Sequence, residues 1–389
     1  MKEVFITGHN IISSLGLTSA ENVAALEQGI TGIRSSNDPV LAPAPLPLSL
    51  VDPLRLDEAF SSMLCDLGKD VPPNFYTRLE KMMILSVYLA TRELEIDLRN
   101  GKLLFIVSTT KGNIHLLEER YRLIYDHRRL YLWELARVVA AFFGFSQTPV
   151  IVSNACISGI AAITLGARHI RSGRFSHAIV TGGDLLSEFV ISGFQSFQSL
   201  SQSPCRPYDA SRDGLSLGEG CGTVVLSDVK PSHAMYVRVL EGSITNDANH
   251  ISGPSRTGEE LALAMTTAME RSGMGPSDIS FISAHGTATP FNDEMESKAI
   301  RLAGLSQVPV HSLKGYWGHT LGAAGVIESA ASIQSLVNDT LIASAGFSEL
   351  GVPEEINVIR EQRRIPLQAC LKTASGFGGC NAALIYQKP

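Results

Sequence analysis

Twice along its 389 residues the chain runs from a strand of β-branched residues through a Gly/Ala-rich loop into a helix of small residues. The first passage is PVIVSNA (149–155) leading into the run from Cys156 to Arg171. The second is PVHSLK (309–314), followed by GYWGHTLGAAG and a helix over 322–337. Strands LLFIVSTT (103–110), HAIVTGGD, DISFISA (278–284) and ACLKTAS (369–375), with helices over 78–92 and 293–303, complete the alternation. Alternating strands and helices predict an α/β fold, a mixed or parallel sheet covered by helices on both faces. No exact repeat is present, yet the shared scheme predicts two related halves, 1–230 and 231–389, with a seam at Val229 to Met235 where DVKPSHAM breaks the pattern. The stretch 112–143 reads as helix-rich and amphipathic. The proline-bearing stretch 39–75 reads as an irregular surface excursion.

Composition removes several classes of function. A formal charge of -6 argues against a general polyanion binder, so no nucleic-acid partner is expected. Uninterrupted apolar runs stay short of a membrane span, and the start MKEVFITGHN lacks the features of a secretory signal; a cytoplasmic protein is the expectation. The six cysteines form no CxxC pair and no HExxH motif accompanies them, which predicts free thiols and no metal.

Cys156, in SNACISG, stands where a core strand ends and a helix begins. Its sulfur would face the helix's unsatisfied N–H groups and the positive end of its dipole, which lowers a thiol pKa and makes a thiolate able to accept an acyl group. A buried, inert cysteine is the bland alternative. His285 follows a strand in SAHGTATPFND, and Thr287 and Thr289 offer hydroxyls at alternating positions for a polar ligand. His319, in GHTLGAAG, begins the second small-residue helix; two neutral imidazoles donating Nε2–H could together hold one carbonyl oxygen as negative charge develops on it. Lys314, at a strand end, reads either as a solvent-facing lysine or as a buried cation with Asp293 and Glu296 as candidate partners. In SGFGGCN the glycines around Phe377 allow its N–H to point into a site, or else form a plain hairpin around a core phenylalanine. His169, His177, His233, His250 and His311 are assigned ordinary structural roles.

Cys156 with HGTxTxxxD, KxxxGHxxxAAG and GFGG, in that order, resembles an elongating β-ketoacyl-acyl carrier protein synthase, a condensing enzyme of the thiolase-fold superfamily. The resemblance runs from the ITG strand at residues 6 to 8 through GFGG. It implies thiolase-like duplicated halves in five layers, α-β-α-β-α, and decarboxylative condensation of an acyl primer with malonyl-acyl carrier protein in fatty acid or related polyketide or polyene biosynthesis. Cys156 would carry the primer, with the N–H groups of Cys156 and Phe377 as oxyanion hole and Phe377 as gate. His285 and His319 would bind the extender carbonyl, Lys314 held by Glu296 and Asp293 would support them, and Thr287 and Thr289 would contact the phosphopantetheine arm. That arm arrives on the carrier protein, so no resident cofactor is implied, and the partners would be acyl carrier protein and a second subunit in a homodimer or heterodimer. Arg78 and Lys81 resemble the family's carrier-docking helix, or are solvated helix charges. Lys111 in KGNIHLLEE, Cys380 and the pair Ile157-Ser158 depart from the family pattern and leave the primer open. A chain-length subunit without catalysis and a thiolase are the rival readings; the intact Cys156 counts against the first and the HGTxT and KxxxGH motifs against the second.

Overall fold

A computed structural model describes residues 2–232 and 236–389, so the last three residues of the expected seam, His233 among them, lie outside it. The chain runs β1 (Phe5–Ile12), α1 (Arg78–Thr91), β2 (Leu103–Ser108), α2 (Leu132–Phe143), β3 (Val150–Val152), α3 (Ser158–Arg171), β4 (His177–Asp184) and β5 (Gly220–Ser227). The same sequence of elements follows: β6 (Val237–Asn246), α4 (Glu259–Ser272), β7 (Phe281–Ser283), α5 (Pro290–Leu302), β8 (Val310–His311), α6 (Ala324–Val337), β9 (Ala369–Gly376) and β10 (Cys380–Gln387). The strands order as β3-β2-β4-β5-β1 and, continuing, β6-β10-β9-β7-β8. In both wings the two outer pairings are parallel and the two inner ones antiparallel. Within the sheet the wings join where Phe5 and Ile6 of β1 face Arg238 and Val237 of β6.

This edge-to-edge link lets the wings fold over a shared central layer. Helices α3 and α6 touch each other and pack on both wings, while α1 with α2 and α4 with α5 cover the outer faces, giving five layers. The small residues foreseen in α3 and α6 have a steric reason. A Cβ on Gly159 would sit 2.6 Å from Val326 N, and one on Gly325 would sit 2.6 Å from Ile160 N, so only glycine lets these helix starts cross backbone to backbone. That crossing brings the segment holding Cys156 against the segment holding His319.

Three expectations change in detail. The stretch 39–75 contains a strand, Leu46–Ser49, and a helix, Pro53–Asp66. Pro53 occupies the first helical position, where a missing N–H costs nothing, and Asp52 caps the helix by accepting from Leu54 N and Arg55 N. Proline thus marks a helix start here, as Pro290 does for α5, which begins three residues before the expected 293. Between 112 and 131 the backbone makes only short 3₁₀ turns, and regular helix begins at Leu132. Among the described residues no helix is long and apolar enough to cross a membrane.

Candidate active site

Cys156 sits in the tight connection between β3 and α3. Ala155 adopts φ +44°, a left-handed conformation costly for a residue with a side chain, and the Ser158 hydroxyl braces the turn by donating to Ala155 O at 2.6 Å and accepting from Asn154 N at 2.8 Å. His319 follows Gly318 at φ +68° and is tied by its N–H to Ser216 O at 2.7 Å. Its Nδ1 accepts the Leu321 N–H at 3.1 Å, a bond aimed by Leu321's own φ of +53°, so the ring proton resides on Nε2. His285 stands just beyond the C-terminal end of β7, and its ring lies 5.3 Å from that of His319, nearly perpendicular at 84°. Side-chain donor atoms of Cys156, His285 and His319 all lie within 4.8 Å of one another. These are also the one group of side chains among the described residues with donor atoms close enough to share a metal ion.

Lys314 is fully buried, which decides between its two readings, but its surroundings differ from those expected. It opens a one-turn helix, Lys314–Trp317, rather than ending a strand. Its ammonium donates to His285 O and to Glu328 Oε1, both at 2.6 Å, so Glu328 of α6 holds it and neither Glu296 nor Asp293 does. Glu296 instead accepts from the N–H groups of His285 and Gly286 at 2.8 and 2.7 Å and from the hydroxyls of Tyr208 and Thr373. Asp293 accepts from Thr287 N at 3.0 Å and Tyr208 N at 2.8 Å. The two carboxylates therefore fold the HGTxT loop, one level removed from the lysine. Glu328 carried a legible signal: it is the sole charged residue in the helix AGVIESAASIQSLV, and such a carboxylate needs a buried cation.

Burial pushes both imidazoles down, His319 to about 3 and His285 well below the usual range, with Lys314 and Lys372 adding to the effect. Both are neutral at pH 7, as the oxygen-binding role requires. The thiol goes against expectation. Burial raises Cys156 to about 11, and the opposing Lys314 charge and Phe377 N–H do not overcome it. Well below that value the thiolate fraction scales directly with hydroxide, so Cys156 alkylation by iodoacetamide should rise about tenfold per pH unit between pH 7 and 9. A rate already flat at pH 7, followed by peptide mass, would restore the lowered pKa read from the helix start.

The three groups open on a cavity of about 400 Å³ that Thr287, Thr289 and Phe377 also line. Phe377 is 36% exposed, so it is no core phenylalanine. Its N–H points at the Cys156 sulfur, and its ring packs on Phe194 and Phe197 at 5.8 and 5.2 Å. Sequence offers no signal for these two aromatic partners, because the helix Glu188–Ser196, which holds Phe194 and is capped by Phe197, carries no motif. Ala288 at φ +64° kinks the HGTxT loop, and the Thr287 and Thr289 hydroxyls, expected to meet a polar ligand, hydrogen-bond each other at 2.8 Å. His250, assigned a structural role, lies on the cavity wall. Asp184, also unforeseen, is buried and accepts from Thr110 N, Lys111 N and Gly322 N, joining the loop after β2 to the loop after His319. Arg78 and Lys81 are not free cations: Arg78 grips Glu219 at 2.6 and 2.8 Å and Lys81 pairs with Asp57 at 2.7 Å.

The family models for the β-ketoacyl synthase N-terminal and C-terminal domains match residues 131–231 and 236–348. The chain is 33% identical over 264 residues to a 3-oxoacyl-[acyl-carrier-protein] synthase 2 of Vibrio cholerae, a match spanning 63% of each chain. It is 27% identical to a putative polyketide β-ketoacyl synthase 1 of Streptomyces halstedii across 100% of this chain and 98% of that one. A solved ketosynthase in complex with its chain length factor, from Xenorhabdus doucetiae, superposes with a TM-score of 0.86 at 24% identity, covering 100% of this chain and 98% of the other. The chain belongs to the β-ketoacyl synthase family, and its fold is the thiolase-like one of the solved ketosynthases.

Proposed function

We propose that this chain is a 3-oxoacyl-acyl carrier protein synthase that condenses an acyl primer with malonyl-acyl carrier protein. The observation that carries this is the Cys156, His285 and His319 set, the sulfur and one ring nitrogen of each histidine within 4.8 Å of one another, facing one cavity. Cys156, as thiolate, attacks the primer's thioester carbonyl; the C–S bond to the carrier's pantetheine breaks and the carrier thiol takes the proton. The oxyanion formed on the way is met by the N–H groups of Cys156 and Phe377. A malonyl thioester then places its carbonyl oxygen against the two imidazoles, with His319 donating through Nε2–H. Its carboxylate leaves as carbon dioxide, the electron pair passes into the enolate held there, and the enolate carbon attacks the acyl-cysteine, expelling the thiolate. Thr287 and Thr289 lie where the pantetheine arm would pass, and no resident cofactor is required.

The partners on this account are acyl carrier protein and either a second copy or a related ketosynthase subunit, and the working compartment is the cytoplasm. With Arg78 and Lys81 already paired, carrier docking must draw on other cations. A chain-length subunit is the second account, suggested by the Xenorhabdus doucetiae complex. The fully formed Cys-His-His geometry favours the catalytic one. His319→Ala should keep acylation of Cys156, read by intact mass, while malonyl decarboxylation, read as carbon dioxide release, falls by about a hundredfold or more. Decarboxylation at the wild-type rate would remove His319 from the mechanism.

A further inference from the structure

Lys372 is the only charged residue of β9, whose sequence is ACLKTASG, and its side chain is fully buried. A buried ammonium costs several kcal/mol unless its surroundings supply counter-charge and acceptors. Here Nζ lies 2.7 Å from Glu328 Oε2, an ion pair set off the hydrogen-bond line, and donates to Ser283 O at 3.0 Å and Thr373 O at 2.7 Å, with Ala284 O at 3.4 Å. Lys314, paired with the other oxygen of the same carboxylate, takes the next carbonyl, His285 O. Two ammonium groups joined through Glu328 thus hold three consecutive carbonyls, residues 283 to 285. Because side chains alternate along a strand, the neighbouring Thr373 faces the other side of β9, where its hydroxyl donates to Glu296 Oε1 at 2.8 Å. Glu296 is the carboxylate that takes the N–H groups of His285 and Gly286. Strand β9 therefore grips the His285 backbone from both faces of the sheet.

We infer that Lys372 is a second positioning lysine for His285, acting with Lys314 through their shared carboxylate. It does not line the cavity and touches no substrate. Lys314 by itself fixes only the His285 carbonyl; Lys372 fixes the two residues before it, and with them the direction in which the chain delivers the imidazole to the substrate oxygen. A displacement near 1 Å at such a group costs up to about a hundredfold in rate. This role rests on the decarboxylative function proposed above.

Lys372→Met and Lys372→Gln test it. Methionine keeps the stem's bulk and leaves Lys314 and Glu328 as a matched one-to-one pair, so the fold should stand, and glutamine restores a donor to the carbonyls without the charge. In Lys372→Met, kcat for malonyl decarboxylation should fall about tenfold or more, with KM and the extent of Cys156 acylation close to wild type, and Lys372→Gln should recover most of the loss. Wild-type kcat in Lys372→Met, or equal losses of acylation and decarboxylation, would reduce Lys372 to a structural residue, and glutamine performing no better than methionine would overturn the carbonyl-holding role. A wild-type chain that acylates but does not decarboxylate would overturn the decarboxylative function itself, a result separate from any behaviour of the lysine variants.

Discussion

Cys156→Ala should leave no acyl adduct on the protein when primer thioesters are offered, and condensation should fall by at least about a thousandfold, because the variant lacks the one thiol that lines the cavity among the described residues. The remaining cysteines are poor substitutes. Cys205, Cys221 and Cys370 are buried, and burial raises each thiol; neither Cys65 nor Cys380 lines the cavity, and the Cys380 thiol donates to Asn154 Oδ1 at 3.1 Å. Malonyl decarboxylation should survive in the same variant, since His285 and His319 take their positions from Glu296, Lys314 and Leu321 and none of these contacts passes through the sulfur. Intact mass and carbon dioxide release, measured together over a panel of primers, separate the two half-reactions. An adduct on the alanine variant would move the nucleophile elsewhere, and its absence from wild type with every primer would turn the function toward the chain-length subunit.

How much of this was legible follows from where each signal resides in the chain. Cys156, His285, His319 and Phe377 were readable because each sits in a local motif whose backbone has one purpose: a strand end, a tight turn, a glycine hairpin. The burial of Lys314 was half readable, since sequence offers a charge but not its partner. Asp293 and Glu296 lie close to His285 in sequence and were given the lysine, whereas Glu328, fourteen residues beyond Lys314, reaches it only because α6 runs through the central layer. Lys372 lies farther still, on a strand that pairs beside β7, so only the sheet order brings it to the same carboxylate. The thiol departs from its sequence expectation for a related reason. A helix start is visible in sequence, but the depth of burial that outweighs it is a property of five stacked layers.

Glu328→Leu should destabilise the chain by about 3–5 kcal/mol in denaturant unfolding, because it leaves the Lys314 and Lys372 ammonium groups buried without their shared counter-charge. In the wild type, burial pushes the Glu328 carboxyl up but the two lysines outweigh it and hold it below 4.5. A folded pKa below the unfolded one gives stability that is full above about pH 4.5 and is lost as pH falls through the folded value. His319 loses its share over a wider window. With a folded value of about 3 against 6.5, the unfolded chain binds the proton first, so stability declines as pH drops below about 6.5. The leucine variant should carry this rise of stability with pH further, onto the alkaline side. Burial already holds Lys372 below 10.5, and without Glu328 it sheds its proton still more readily in the folded state than in the unfolded one, so the unfolded state binds more protons and stability rises with pH between about 7 and 10. Unfolding midpoints of wild type and variant across that range provide the check: a variant as stable as wild type at pH 7, or one whose deficit does not shrink toward pH 10, would mean that the lysines are not held by Glu328.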